Sequence, residues 1–310
     1  MNLNLTNIIA FSILLALLVV SSLIIFIFRH QFSPKTQKEL YDRMVSWWIM
    51  VTIFILALSI SPSSMLIFFA FVSYLALKEY FTVIPTRRVD RRAIFWAYIS
   101  IPCQYVLIHI HWYGLYIIFI PIFMFLFIPI RMVILKESKG FLVATGTIHW
   151  GLMLTVYFVS HIAYLGVLPT DADWINTGIS LIIYLVFLTQ FNDVSQYLWG
   201  KFLGHKKIIP AISPNKTVAG FLGGVLTTCL LGFILGPILT PFTLPQALLA
   251  GFLIGVSGFL GDLAMSAIKR DLGIKDTGQL LPGHGGILDR LDSIIFTAPI
   301  FFHYVRYLVY

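Results

Sequence analysis

Apolar residues run along this chain in long unbroken blocks separated by short polar stretches. About 20 apolar residues suffice to cross ~30 Å of hydrocarbon, because a helix rises only ~1.5 Å per residue. Ten blocks can be read, at 6–28, 45–60, 65–77, 94–110, 113–130, 142–167, 175–191, 217–239, 245–266 and 293–310. Backbone in lipid must satisfy its own hydrogen bonds, so each block is expected to be a helix. The ~10-residue alternating segments of a transmembrane barrel are absent from the pattern. The expected fold is all-α, a polytopic transmembrane helical bundle. The second and third blocks are short, are separated by Ser61-Pro62-Ser63-Ser64, and read as tilted or partly re-entrant. The first block has no basic residue before it and no small-residue cleavage site after it, so a retained anchor is expected.

Composition agrees. Of 310 residues, 59% are hydrophobic and 11% charged, against about 25% charged in a soluble domain. The net charge of +8 is spread over short loops, which argues against a nucleic-acid partner and for a report of topology and anionic lipid. Arg29, Lys35, Lys38 and Arg43 follow block one. Lys78, Arg87, Arg88, Arg91 and Arg92 follow block three. Arg131, Lys136 and Lys139 follow block five, Lys201, Lys206, Lys207 and Lys216 follow block seven, and Lys269, Arg270, Lys275 and Arg290 follow block nine. Only Arg306 falls outside this alternation. The positive-inside rule then places these loops in the cytoplasm of a bacterium and both termini on the non-cytoplasmic side of its membrane. Asp171 and Asp173 occupy an opposite loop. Cys103 and Cys229 lie in apolar runs, without metal-like spacing.

The chain changes character near residue 190. Before it, acidic residues are expected only in loops, so 1–190 reads as a scaffold of transmembrane helices. Beyond it, in a catalytic region 191–310, come Asp193, Asp262, Asp271, Asp276, Asp289 and Asp292, several at the ends of apolar runs. Carboxylates at membrane depth are costly unless partnered and mark functional sites. The densest cluster runs from Gly261 to Ser293. On a helix, Asp262, Ser266 and Lys269 share one face. Arg270, Lys275 and Asp276 follow, then the turn Pro282-Gly283-His284-Gly285-Gly286, whose glycines would let backbone amides approach an anion. Asp289, Arg290 and Asp292 open the last block. Helix capping would explain Asp289 and Asp292 alone, and His284 alone could be a packed loop residue. Neither explains carboxylates and cations bracketing a glycine turn. Aspartates able to hold a hard cation, set among Lys and Arg, suit a polyphosphate bound with Mg²⁺. Asp262 and Asp289 are the expected metal ligands, with a second cation such as K⁺ compatible with the set.

The pattern Ser266-x-x-Lys269-Arg270-x4-Lys275-Asp276, then Pro282-Gly283-His284-Gly285-Gly286-x-x-Asp289-Arg290-x-Asp292, resembles the signature of the phosphatidate cytidylyltransferases (CDP-diglyceride synthases). An upstream block agrees with it: Asn192-Asp193-Val194-Ser195-Gln196-Tyr197, Gly200-Lys201 and Ser213-Pro214-Asn215-Lys216-Thr217. The resemblance covers about 192–293. It implies Mg²⁺-dependent transfer of CMP from CTP to phosphatidate, giving CDP-diacylglycerol and pyrophosphate for phospholipid synthesis, at a cytoplasm-facing site. It implies catalytic roles for Asp262, Ser266, Lys269, Arg270 and Asp289. Substrate contacts are implied for Asp193, Ser213, Lys216, Lys275, Asp276, His284, Gly285, Gly286, Arg290 and Asp292. One departure stands out: where the family usually carries Trp-Glu-Gly, this chain has Val218-Ala219-Gly220. If that carboxylate contributes to catalysis, this chain is impaired or recruits another group. The competing readings are transfer to another lipid phosphate, such as an isoprenoid ether lipid, a weakly active paralogue, and a secondary transporter. Transporter sites sit near the midplane between repeats, whereas these charges gather at one surface. Gly251 and Gly255 form a GxxxG pair suited to helix pairing within the chain or in a homodimer.

Overall fold

The blocks become helices because nothing within them interrupts the ladder, and punctuation at their ends stops it. The computed structural model describes residues 4–87, 90–134, 139–168, 174–278, 280 and 285–309, with backbone only at 174–176. The helices are α1 (Leu5–Ile27), α2 (Pro34–Ile60), α3 (Pro62–Val83), α4 (Arg91–His109), α5 (Tyr113–Ile118), α6 (Phe125–Val133), α7 (Phe141–Leu152), α8 (Phe158–Leu165), α9 (Trp174–Leu203), α10 (Val218–Leu239), α11 (Leu244–Asp271), α12 (Leu288–Leu291) and α13 (Ile294–Val309). Wider π turns at Phe119–Met124 and Met153–Tyr157 join α5 to α6 and α7 to α8 into two continuous rods. The first contains Pro121, whose missing N–H breaks the regular ladder. Among the described residues there is no named strand, and eight helical rods are long and apolar enough to cross a membrane.

The second and third blocks need correcting. They are helices of 27 and 22 residues, long enough to cross a membrane and not short. Ser61 separates them: its hydroxyl accepts from Ser64 N at 3.0 Å, and Ser64 Oγ accepts from Ser61 N at 2.9 Å. Pro62 starts α3 without needing an N–H donor. Both helices run beyond their apolar stretch, because hydropathy marks the hydrocarbon and not the helix end. As a result Glu39 and Asp42 lie in α2 and Glu79 in α3, where the sequence had placed acidic residues in loops.

Burial follows a lipid solvent. Helix α1 buries only Asn7 and Phe11, and Asn7 Oδ1 accepts from Ser180 Oγ at 2.6 Å, tying α1 to α9. Leu222, Leu226, Leu230 and Ile234 of α10 are exposed, an apolar strip that only lipid or another helix can cover. Helices α9, α10, α11 and α13 form the tight centre, and glycine sets its spacing. A Cβ at Gly251 would fall 2.7 Å from Thr228 O and 2.8 Å from Cys229 Cα, and one at Gly255 would fall 3.1 Å from Val225 Cα. The GxxxG pair is therefore used inside the chain, between α11 and α10. Residue 190 lies inside α9, and the main apolar core draws on residues from both sides of it. A smaller core joins Ala76 and Tyr80 of α3 to Met265 of α11, Leu288 of α12 and Ile295 of α13.

Candidate active site

Two segments far apart in sequence meet at one end of this bundle. Helix α9 delivers Asn192, Asp193 and Gln196 near its C-terminal end. The chain then turns back through a short antiparallel pairing, Ile208 N to Lys216 O at 3.1 Å and Val218 N to Lys206 O at 2.9 Å. Thr217 ends that turn and caps α10, its Oγ1 accepting from Gly220 N at 3.1 Å. This holds Lys216 against α11, where its Nζ lies 2.5 Å from Asp262 Oδ2 and 4.7 Å from the centroid of the Phe259 ring. Ser266, one turn along α11, donates to Asp262 Oδ1 at 3.2 Å. A cavity of about 240 Å³ opens here, lined by Asp193, Gln196, Tyr197, Lys216, Phe259 and Asp262 among others, Ser213 included. Gln196 Nε2 is buried and has no acceptor among the described residues.

Further along the same face of α11, Lys269 reaches Asp289. Its Nζ donates to Asp289 Oδ1 at 2.9 Å. The other oxygen, Oδ2, accepts from Thr277 N at 2.8 Å and Gly286 N at 3.0 Å, with Thr277 Oγ1 also 3.0 Å away. Burial alone would push the Asp289 carboxyl up, but the Lys269 ammonium and these donors outweigh it and hold it below the ordinary carboxylate range. Asp292 goes the opposite way. Burial first, then the charge of Asp262, pushes it up to about 7, against the opposing pull of Lys269 and of Ser293 N, which donates to Asp292 Oδ1 at 2.8 Å. Ser293 Oγ donates to Asp193 Oδ1 at 3.0 Å, so one serine links the carboxylates of α9 and the last segment.

The residues expected from sequence thus fall into separate sets. Asp193, Ser213, Lys216, Asp262, Ser266 and Asp292 gather at the cavity or against its carboxylates. Lys269, Asp289 and Gly286 form a separate bracket around the glycine turn, and the Gly286 amide is directed at Asp289 and is not free for a ligand. Gly285 takes φ +84, a conformation that favours glycine, and a Cβ there would lie 3.0 Å from Asp289 Oδ2. Arg270 ties the two segments together, donating from Nε to Ile212 O at 3.2 Å and from Nη1 to Ile274 O at 3.3 Å. Lys275, Asp276 and Arg290 are exposed. His284, with Pro282 and Gly283, lies outside the described residues.

As they stand, no three His, Cys, Asp or Glu side chains among the described residues are grouped to hold a metal. Asp262 is paired with Lys216, and both oxygens of Asp289 are engaged. Sequence reasoning missed Gln196, Tyr197, Phe221 and Phe259 of the cavity wall. It also missed Glu79 of α3, whose carboxylate accepts from Ile287 N at 2.8 Å and Leu288 N at 3.2 Å. The signal for Gln196 and Tyr197 was present, since both lie in the upstream motif. For Glu79 the signal was weaker, a carboxylate one residue beyond an apolar run, behind Lys78.

Fold and site together define a polytopic helical membrane protein with a carboxylate- and lysine-lined cleft at one end of its central helices. The chain belongs to the cytidylyltransferase family, whose sequence model matches residues 41–308. Membership makes it a nucleotidyltransferase by family. It is 45% identical over 297 residues to the uncharacterized protein YnbB of Escherichia coli (strain K12), covering 96% of this chain and 97% of that one. It is 36% identical over 155 residues to the phosphatidate cytidylyltransferase of Staphylococcus haemolyticus, covering 48% of this chain and 58% of the relative. The phosphatidate cytidylyltransferase of Synechocystis is 45% identical over 131 residues, 42% of this chain and 44% of the relative. The chain therefore matches about half the length of relatives that carry that activity in their names.

Proposed function

We propose that this protein transfers CMP from CTP to phosphatidate, releasing pyrophosphate and leaving CDP-diacylglycerol in the bilayer. The observation that carries the reading is the meeting of the two motif segments at one cavity, with Lys216 of one paired to Asp262 of the other at 2.5 Å. A phosphate monoester is already a competent nucleophile near neutral pH, so no activated Ser or Cys is required. A lipid phosphate oxygen bonds to the α-phosphorus of CTP as the bond to the β-phosphate oxygen breaks, and pyrophosphate carries away the electron pair. The protein's part is positioning and charge neutralisation. Lys216 and Lys269 each hold a carboxylate partner that a phosphate oxygen could replace. Gln196 offers an unspent amide donor beside the cavity.

The carboxylates at the cavity fit a divalent cation. Burial first, and then the charge of Asp262, raises Asp292, and a bound cation would relieve the like-charge part. Asp262 with Asp292 is the favoured pair, because Asp289 could join only by giving up Lys269 or the Thr277 and Gly286 amides. When bound, Mg²⁺ would neutralise phosphate charge and polarise the reacting phosphate. The remaining proposals concern placement. Residues 191–310 are the catalytic region. All ten helical rods cross the bacterial cytoplasmic membrane, α4 and α13 included, which leaves both termini outside and the cleft facing the cytoplasm.

The test is an assay of the purified full-length protein in detergent with labelled CTP, Mg²⁺ and phosphatidate. Labelled CDP-diacylglycerol is expected. Product from an isoprenoid ether lipid phosphate but not from phosphatidate would change the acceptor. Absence of any lipid product from well-folded protein would overturn the reading in favour of a weakly active paralogue, the reading that Ala219 favours.

A further inference from the structure

Among the acidic side chains outside the two motif segments, Glu79 reaches the site from the half of the chain expected to be scaffold. It sits near the C-terminal end of α3 and is held by residues 277–278 and 286–288 of the motif segment. Its Oε2 accepts from Ile287 N at 2.8 Å; its Oε1 accepts from Leu288 N at 3.2 Å and from the Thr277 hydroxyl. The loop wraps too closely for side chains. A Cβ at Gly286 would lie 1.7 Å from Glu79 Oε1, and one at Gly278 would lie 2.9 Å from Glu79 Cδ. The carboxylate thus enters between the two ends of the 277–288 loop, and glycine is present at both contacts.

The mounting beneath it is rigid. Tyr80, the next residue, is 1% exposed, packs with Met265, Leu288 and Ile295, and donates from its hydroxyl to Thr147 O at 2.9 Å. Glu79 and Asp289 share Thr277, whose hydroxyl is within reach of both carboxylates. Glu79 thereby controls where Gly286, α12 and Asp289 stand, and through Asp289 where Lys269 points.

We propose that Glu79 is a positioning residue for nucleotidyl transfer: it anchors the glycine turn and α12, so that the Lys269–Asp289 pair and Asp292 are set for the substrate's phosphates. The idea rests on the cytidylyl-transfer reading for its consequence, but not for its geometry. Neutral glutamine keeps the shape and loses one of the two acceptor oxygens, so an amide of the loop is stranded. Aspartate keeps the charge on a shorter stem.

The test compares E79Q, E79D, E79A, G286A and the E79A/G286A double variant, each as the full chain in detergent. Hydrogen exchange is read over 285–291, and kcat and KM are read for CTP and for phosphatidate. In E79Q, exchange at Ile287 and Leu288 is expected to rise about tenfold, the size of one lost hydrogen bond, with α9–α11 unchanged. The expected kinetic effect is a drop in kcat of at least about tenfold, with KM for phosphatidate unmoved and partial recovery in E79D. G286A should fail by collision with Glu79, and the double variant should stay slow because the anchor is gone. Wild-type exchange and kcat in E79Q would overturn the proposal. So would recovery of kcat in E79A/G286A, which would make Glu79 a mere space-filler, or exchange rising equally throughout the bundle. Exchange needs no turnover, so if wild-type protein makes no product the transfer reading fails visibly, while the anchoring is judged on its own.

Discussion

Replacing Asp289 by asparagine separates two roles that the sequence runs together. One oxygen of Asp289 takes Lys269 Nζ at 2.9 Å; the other takes Thr277 N and Gly286 N at 2.8 and 3.0 Å. The two side chains are 5% and 13% exposed. An asparagine that keeps its oxygen toward the amides turns an NH₂ group on the Lys269 ammonium. The flipped one strands both amides instead. Removing one partner of a buried ion pair costs ~3–5 kcal/mol, and a stranded buried amide ~1–3 kcal/mol. Since the Lys269 side chain keeps 13% exposure and water can reach it, the low end, about 3 kcal/mol, is the reasonable figure. With total stabilities of ~5–15 kcal/mol the bundle should still fold, while the loop leaves its docked position. At about 1.4 kcal/mol per tenfold, that predicts at least a ~100-fold loss of transfer. The assay is CMP transfer from labelled CTP across a Mg²⁺ titration, beside thermal unfolding in detergent. If Asp289 holds the loop while Asp262 and Asp292 hold the ion, as proposed, the Mg²⁺ concentration giving half-maximal rate should not change. A wild-type rate in D289N would refute the bracket, and a large rise in the Mg²⁺ requirement would return Asp289 to the metal.

Other expectations follow from the same geometry. Asp262→Asn should raise the Mg²⁺ requirement by at least about tenfold or abolish transfer while leaving membrane insertion intact, and full activity at low Mg²⁺ would remove Asp262 from the ion. Gly251→Val should lower the yield of folded protein and its unfolding temperature, because its Cβ would stand 2.7 Å from Thr228 O and overpacking of this kind costs ~1–3 kcal/mol. A cysteine replacing Lys207, in a chain with Cys103 and Cys229 substituted, should be blocked by a membrane-impermeant thiol reagent only when the cytoplasmic face is opened. Labelling in intact cells would invert the proposed orientation.

The apolar blocks determined the helical class and the order of the helices, because in lipid a backbone has almost no alternative to the helix. The charge pattern carries the proposal of which helix ends share a surface, and the spacing of Asp262, Ser266 and Lys269 put them on one face of α11. Sequence also marked Asp193 and Lys216 as companions of that face. Tertiary structure decided the pairing: Lys216 to Asp262, Lys269 to Asp289, and Gly251 to the backbone of α10 in place of a second copy. It also decided that Glu79, from a helix with no recognisable motif, closes the glycine turn. Such contacts join residues from 20 positions apart, as in Lys269 with Asp289, to 209 apart, as in Glu79 with Leu288. Local periodicity carries no information at that range. It reports which face of a helix is apolar, and only close packing through glycine-lined contacts decides which polar groups end up within hydrogen-bonding distance.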